Sequence, residues 1–118
     1  MAERHRGGCH CGAVRYSAEL DLSAPVIECN CSHCSKKGLL LAFIPPGQFT
    51  LEQGEDAETQ YLFNTHNIRH LFCSACGVEP FARGVNPKGD PMVAINVRSI
   101  DGIDLEALNR QPFDGASR

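Results

Sequence analysis

The sequence predicts an all-β domain, and three observations carry that reading. Val14, Tyr16 and Ala18 alternate with polar neighbours at the two-residue period of a half-buried strand, and other apolar residues fall in short runs. Glycines and prolines, 11 and 7 of them, supply turns between those runs. Only Asp104 to Leu108 reads as a helical turn, with Asp101 or Asp104 as its cap.

Taken in order, the first strand is expected from about Ala13 to Glu19, and a second runs through Val26 and Ile27 into Cys29. Leu39 to Ile44 is an unbroken apolar run stopped by Pro45-Pro46-Gly47, the pattern of a strand buried on both faces. Phe49 and Leu51 continue after that turn. The acidic stretch Glu52 to Glu58 is expected to be a solvated loop. Tyr61 to Phe63, Ile68 to Phe72, Val78 to Arg83 and Met92 to Val97 supply the remaining strands, with Asn86 to Pro91 as a loop before the last.

At 118 residues, 42% apolar and 21% charged, the chain has the size and composition of one globular domain over residues 1–118. A net charge of −3 gives it no basic field for a phosphate backbone, so no nucleic-acid partner is expected. The first eight residues are charged and lack the apolar core of a secretory signal, which predicts a cytoplasmic protein. The longest apolar run, Leu39 to Ile44, is far below the ~20 residues needed to cross a bilayer, so no membrane partner is expected either.

The seven cysteines are the most informative residues. In a reducing compartment they point to metal binding or catalysis rather than to disulfides. All fall in tight groups: Cys9-His10-Cys11, then Cys29-Asn30-Cys31-Ser32-His33-Cys34, then Cys73-Ser74-Ala75-Cys76. Cys73-x-x-Cys76 followed by Gly77 has the form of a zinc knuckle, where glycine permits the positive φ that folds the chain beneath an ion. Cys9-x-Cys11 with Gly12 is its complement, and together they make a closed Cys₄ set for a structural zinc. Cys29, Cys31 and Cys34 offer only three ligands. Three protein ligands and one exchangeable position is the layout of a catalytic zinc, since the open position admits water or substrate. Two zinc ions per chain, one structural and one catalytic, are therefore expected.

Rival readings attach to particular residues. His33, His66 or His70 could complete the second set and make both ions structural. The three cysteines could instead be a redox sensor that releases its metal on oxidation. Lys36 and Lys37 could hold a substrate carboxylate or simply be solvated charge. His33, Arg98 and Asp101 are candidates for assisting proton transfer.

These motifs resemble the glutathione-dependent formaldehyde-activating enzyme family, which includes the core domain of centromere protein V. The resemblance rests on Gly7-Gly8-Cys9-His10-Cys11-Gly12-Ala13-Val14-Arg15-Tyr16, on Cys29 to Gly38, and on Phe72 to Gly77. Asn96 to Asp101 and Phe113-Asp114-Gly115 further resemble its short members. It implies a β-tent, Mss4-like fold with antiparallel sheets leaning around a structural zinc. It assigns Cys9, Cys11, Cys73 and Cys76 to that zinc and Cys29, Cys31 and Cys34 to a catalytic one. The implied activity is that of a carbon–sulfur lyase, resembling an S-(hydroxymethyl)glutathione synthase, that joins a small thiol, with glutathione the candidate, to formaldehyde. The alternative is a zinc-stabilised protein-binding module without catalysis.

Overall fold

The computed structural model describes residues 3–30, 32–62, 68–86 and 88–113. In chain order its strands are β1 (Glu3–Gly8), β2 (Arg15–Leu20), β3 (Val26–Cys29), β4 (Leu41–Ile44), β5 (Phe49–Gln53), β6 (Glu58–Tyr61), β7 (Arg69–Cys73), β8 (Phe81–Val85), β9 (Pro91–Asn96) and β10 (Arg110–Phe113). One helix, α1 (Ser32–Lys37), lies between β3 and β4. Among the described residues the strands form a three-stranded sheet, β1-β2-β5, and a seven-stranded sheet, β10-β3-β4-β9-β8-β7-β6. The all-β reading holds. Every pairing is antiparallel except that of β10 with β3, so the large sheet is mixed, unlike the wholly antiparallel sheets expected.

Side-chain alternation gives the large sheet two occupied faces. Val26, Ile44, Phe81, Val93 and Ile95 point to one face and pack with Val14, Tyr16, Ala18 and Phe49 of the small sheet in the main core. Their neighbours Ile27, Cys29, Leu41, Ala82 and Ala94 point to the other face, where Cys34 and Leu39 cover them. Ala82 and Ala94 are cross-strand partners, and their small side chains leave room for the helix to sit close to the sheet. The run from Leu39 to Ile44 is not buried throughout as expected. Leu41 and Ile44 are buried, while Phe43 is 51% exposed at the edge of the helix-bearing face.

Elements that depart from the sequence reading include α1, β10, β1 and the acidic stretch. β1 forms from a charged segment because its backbone pairs with β2 from Glu3–Leu20 to Gly8–Arg15, leaving its charged side chains largely in solvent. The acidic stretch is not all loop, since Glu52 and Gln53 finish β5, Glu55–Ala57 make a 3₁₀ turn and Glu58 opens β6. The helical turn expected near the end is present as a 3₁₀ turn, Leu105–Ala107, and of the two expected caps it is Asp104 that accepts from the Glu106 N–H.

Tyr16 sits at the centre of the main core, with its ring 5.7 Å from Phe49 and 6.2 Å from Phe81. Its hydroxyl is hydrogen-bonded to the Ser99 hydroxyl at 2.7 Å. Burial pushes this phenol up to about 12. The unfolded chain releases the same proton near pH ~10, so the folded state holds it more tightly. Its contribution to stability is full below pH ~10 and is lost as pH rises toward about 12. Tyr16→Phe is expected to cost about 1 kcal/mol at neutral pH and to flatten the alkaline decline in stability. Urea unfolding across that range checks it, and equal declines in both proteins would contradict it.

Candidate metal centre and adjoining pocket

The first cysteine set is built by two turns of the same design, one from each sheet. Cys9 follows β1 and Cys73 ends β7. In both turns the leading cysteine's N–H reaches five residues ahead, from Cys9 to the Val14 carbonyl at 3.1 Å and from Cys73 to the Val78 carbonyl at 2.9 Å. Each chain reversal needs a left-handed residue after the second cysteine, and Gly12 (φ 85°) and Gly77 (φ 82°) supply it. The turns bring the sulfurs of Cys9, Cys11, Cys73 and Cys76 within 4.8 Å of one another.

That spacing matches the donor geometry of zinc. Four sulfurs at about 2.3 Å from a tetrahedral ion would lie about 3.8 Å apart. Cys9 and Cys11 Sγ are 3.6 Å apart, as are Cys11 and Cys73 Sγ, far beyond the ~2.05 Å of a disulfide. Backbone N–H groups aim at the sulfurs, from Val14 to Cys9 at 3.2 Å and from Cys76 to Cys73 at 3.5 Å. The Val78 and Cys11 amides draw the Cys76 thiol down to about 6. The Ala13 amide pulls Cys11 the same way, but hydrogen bonds with Cys73 and Cys9 outweigh it and push that thiol up to about 11. Four crowded sulfurs thus resist complete ionisation by themselves, and a divalent cation would relieve the repulsion. This cluster could hold a metal ion, and it would clamp the two sheets together.

The second cysteine group sits on the other face of the large sheet. Cys29 ends β3 and Cys34 lies in α1, both against the apolar cluster of Leu39, Leu41, Ala82 and Ala94. Cys31 lies outside the described residues, as do His66, Asp114 and Gly115. α1 is closed by Gly38 (φ 69°) and by a hydrogen bond from the Leu39 N–H to the Cys34 carbonyl at 3.1 Å. No helical period announces α1, whose six residues are too few to display one.

Among the described residues, His33 is grouped with His70 and Glu79 rather than with Cys29 and Cys34. His70 Nδ1 is 3.0 Å from Glu79 Oε2, and His33 Nε2 is 3.5 Å from Glu79 Oε1. Lys37 Nζ donates to that same Oε1 at 3.0 Å and lies 4.7 Å from the centre of the Phe72 ring. The His33 ring stacks on Tyr61 and lies 3.9 Å from that of His70. Burial alone would raise the Glu79 carboxyl, but the bonds from His70 and Lys37 outweigh it and hold it below its usual range. Burial depresses His33, and His70 adds to that. A lysine ammonium already balances the Glu79 charge, so this group acts as a polar rivet holding α1 to β7 and the segment before β8. Lys37 is therefore committed to Glu79 and is not a spare cation for substrate. Sequence reasoning missed Glu79, although a lone carboxylate between Val78 and Pro80-Phe81 signals a buried partner.

A pocket of about 530 Å³ opens beside Cys29. Its lining includes Glu28, Gly38, Leu39, Arg98 and Phe113. Arg98 stands in the 3₁₀ turn Val97–Ser99, where its own N–H donates to the capping Asn96 side chain, and its Nε donates to the Gly38 carbonyl at 2.7 Å. Asp101, a candidate for assisting proton transfer, is bound instead to Arg15 and is not among the described residues lining this pocket.

Two sheets joined by paired cysteine turns, with Cys29 of a further cysteine group lining a pocket, define a small all-β, cysteine-cluster domain. The sequence model of the glutathione-dependent formaldehyde-activating enzyme family matches residues 4–111. The crystal structure of a Rhodobacter sphaeroides protein is similar, with a TM-score of 0.79 and 29% identity over 91% of this chain and 97% of that one. The chain belongs to the glutathione-dependent formaldehyde-activating enzyme family. No helix among the described residues is long and apolar enough to cross a membrane.

Proposed function

We propose that the protein is a zinc-dependent carbon–sulfur lyase that joins a small thiol to formaldehyde and splits the adduct in reverse. The observation that carries this is the pairing of Cys29 and Cys34 on one small apolar cluster, with the pocket opening at Cys29, in a chain of this family. Cys9, Cys11, Cys73 and Cys76 would hold the structural ion, and Cys29, Cys31 and Cys34 a second one with an open position. A zinc ion in the second set supplies a positive charge that favours the thiolate of a substrate and polarises an aldehyde oxygen.

The reaction balances simply: the substrate sulfur forms a bond to the formaldehyde carbon, the carbonyl π bond breaks, and the thiol proton ends on the oxygen. The chain's part is to hold both reactants in one cavity, where the bimolecular encounter becomes an oriented one. Leu39 and Phe113 line the site with apolar surface, and the Glu79 rivet fixes the helix that carries Cys34.

Exchange NMR on glutathione and formaldehyde is the direct test, because the adduct also forms without help. The protein is expected to raise the exchange rate well above background with the equilibrium position unchanged. A rate equal to background with glutathione and with simpler thiols would discard catalysis and favour a zinc-stabilised binding module.

A further inference from the structure

Resting on that reading, we infer that Arg98 is a carboxylate anchor, so that the pocket beside Cys29 takes thiols bearing a carboxylate in preference to neutral ones. Arg98 is the only cation among the described residues lining the pocket. Of the other cations near α1, Lys37 is held by Glu79, Arg110 pairs with Glu28 at 3.3 Å across the outer edge of the sheet, and Lys36 is exposed and outside the pocket lining. That second pair also balances Glu28, the one carboxylate among the described residues of the pocket lining, which leaves Arg98 to set the sign of the site.

The guanidinium is placed in advance. Its backbone N–H donates to the Asn96 side chain at 3.2 Å, while Asn96 Nδ2 donates to the Glu79 carbonyl at 2.9 Å, tying the turn to the end of the second cysteine knuckle. The Nε bond to Gly38 then fixes the plane of the group and leaves the two terminal nitrogens as donors. A planar fork held at Nε suits a carboxylate, and little side-chain freedom is lost on binding. Gly38 is also the residue that closes α1, so the anchor is referenced to the same helix that carries Cys34. A ligand of this kind would place its sulfur toward Cys29 and its carboxylate toward Arg98, with Leu39 and Phe113 against the carbon chain between them.

S-methylglutathione separates the anchor from the metal, because it keeps both carboxylates and has no thiol. Calorimetric titration of the intact protein is expected to give a Kd that rises at least about tenfold in Arg98→Gln and about threefold in Arg98→Lys, which keeps the charge without the fork. Amide dispersion in NMR spectra identifies which variants are folded, and Arg98→Lys carries the test if Arg98→Gln is not. Equal affinity in wild type and variants, or no binding to the wild type, would overturn the anchor. If S-methylglutathione follows Arg98 while no thiol accelerates adduct exchange, the anchor stands and the lyase reading falls.

Discussion

Cys73→Ser is expected to unfold the domain at 25 °C, with collapse of amide dispersion and loss of the far-ultraviolet β signal. Cys73 is fully buried at the end of β7, and its sulfur lies 3.6 Å from that of Cys11, which comes from the turn after β1 of the other sheet. A structural zinc site contributes about 10–16 kcal/mol of apparent binding free energy, as large as the ~5–15 kcal/mol that holds a whole domain together. With one thiolate gone, that energy drops while the remaining three sulfurs stay crowded. Chelation of the wild-type protein is expected to give the same unfolded spectrum. A Cys73→Ser protein that kept its dispersion and melted within a few degrees of wild type would remove the structural role.

Cys29→Ser is expected to act in the opposite way, abolishing catalysis and sparing the fold. Cys29 is only partly buried and packs at the rim of the small apolar cluster, so serine there loses little core contact. On the proposed reading a three-cysteine set has no spare ligand, and even groups that merely orient metal ligands change affinity or activity by about 10–100-fold when mutated. Exchange of the thiol–formaldehyde adduct should fall at least about 100-fold, to the uncatalysed background, with amide dispersion retained. Retained exchange activity would exclude Cys29 from the catalytic set.

The cysteine turns were legible because their chemistry is local. Two cysteines and a trailing glycine, in Cys9-x-Cys11-Gly12 and Cys73-x-x-Cys76-Gly77, fix a tight reversal whose sulfurs converge whatever the rest of the chain does. The alternation of Val14, Tyr16 and Ala18 gave β2 for the same reason. What escaped depends on distant partners. β1 and β10 carry charged or mixed sequences and exist because β2 and β3 offer them open edges. The Glu79 rivet unites α1, β7 and the segment before β8, residues separated by up to 46 positions, and no local period reports it. Arg98 was legible as a helper but not as part of the pocket lining, since its place beside Gly38 spans 60 residues.

The central claim is that the two cysteine sets hold two ions with different duties, and elemental analysis of purified chains tests it most directly. Wild type is expected to carry about two zinc ions and folded Cys29→Ser about one, while Cys73→Ser fails to fold. A wild-type chain with a single zinc ion, or two variants that unfold together, would contradict it.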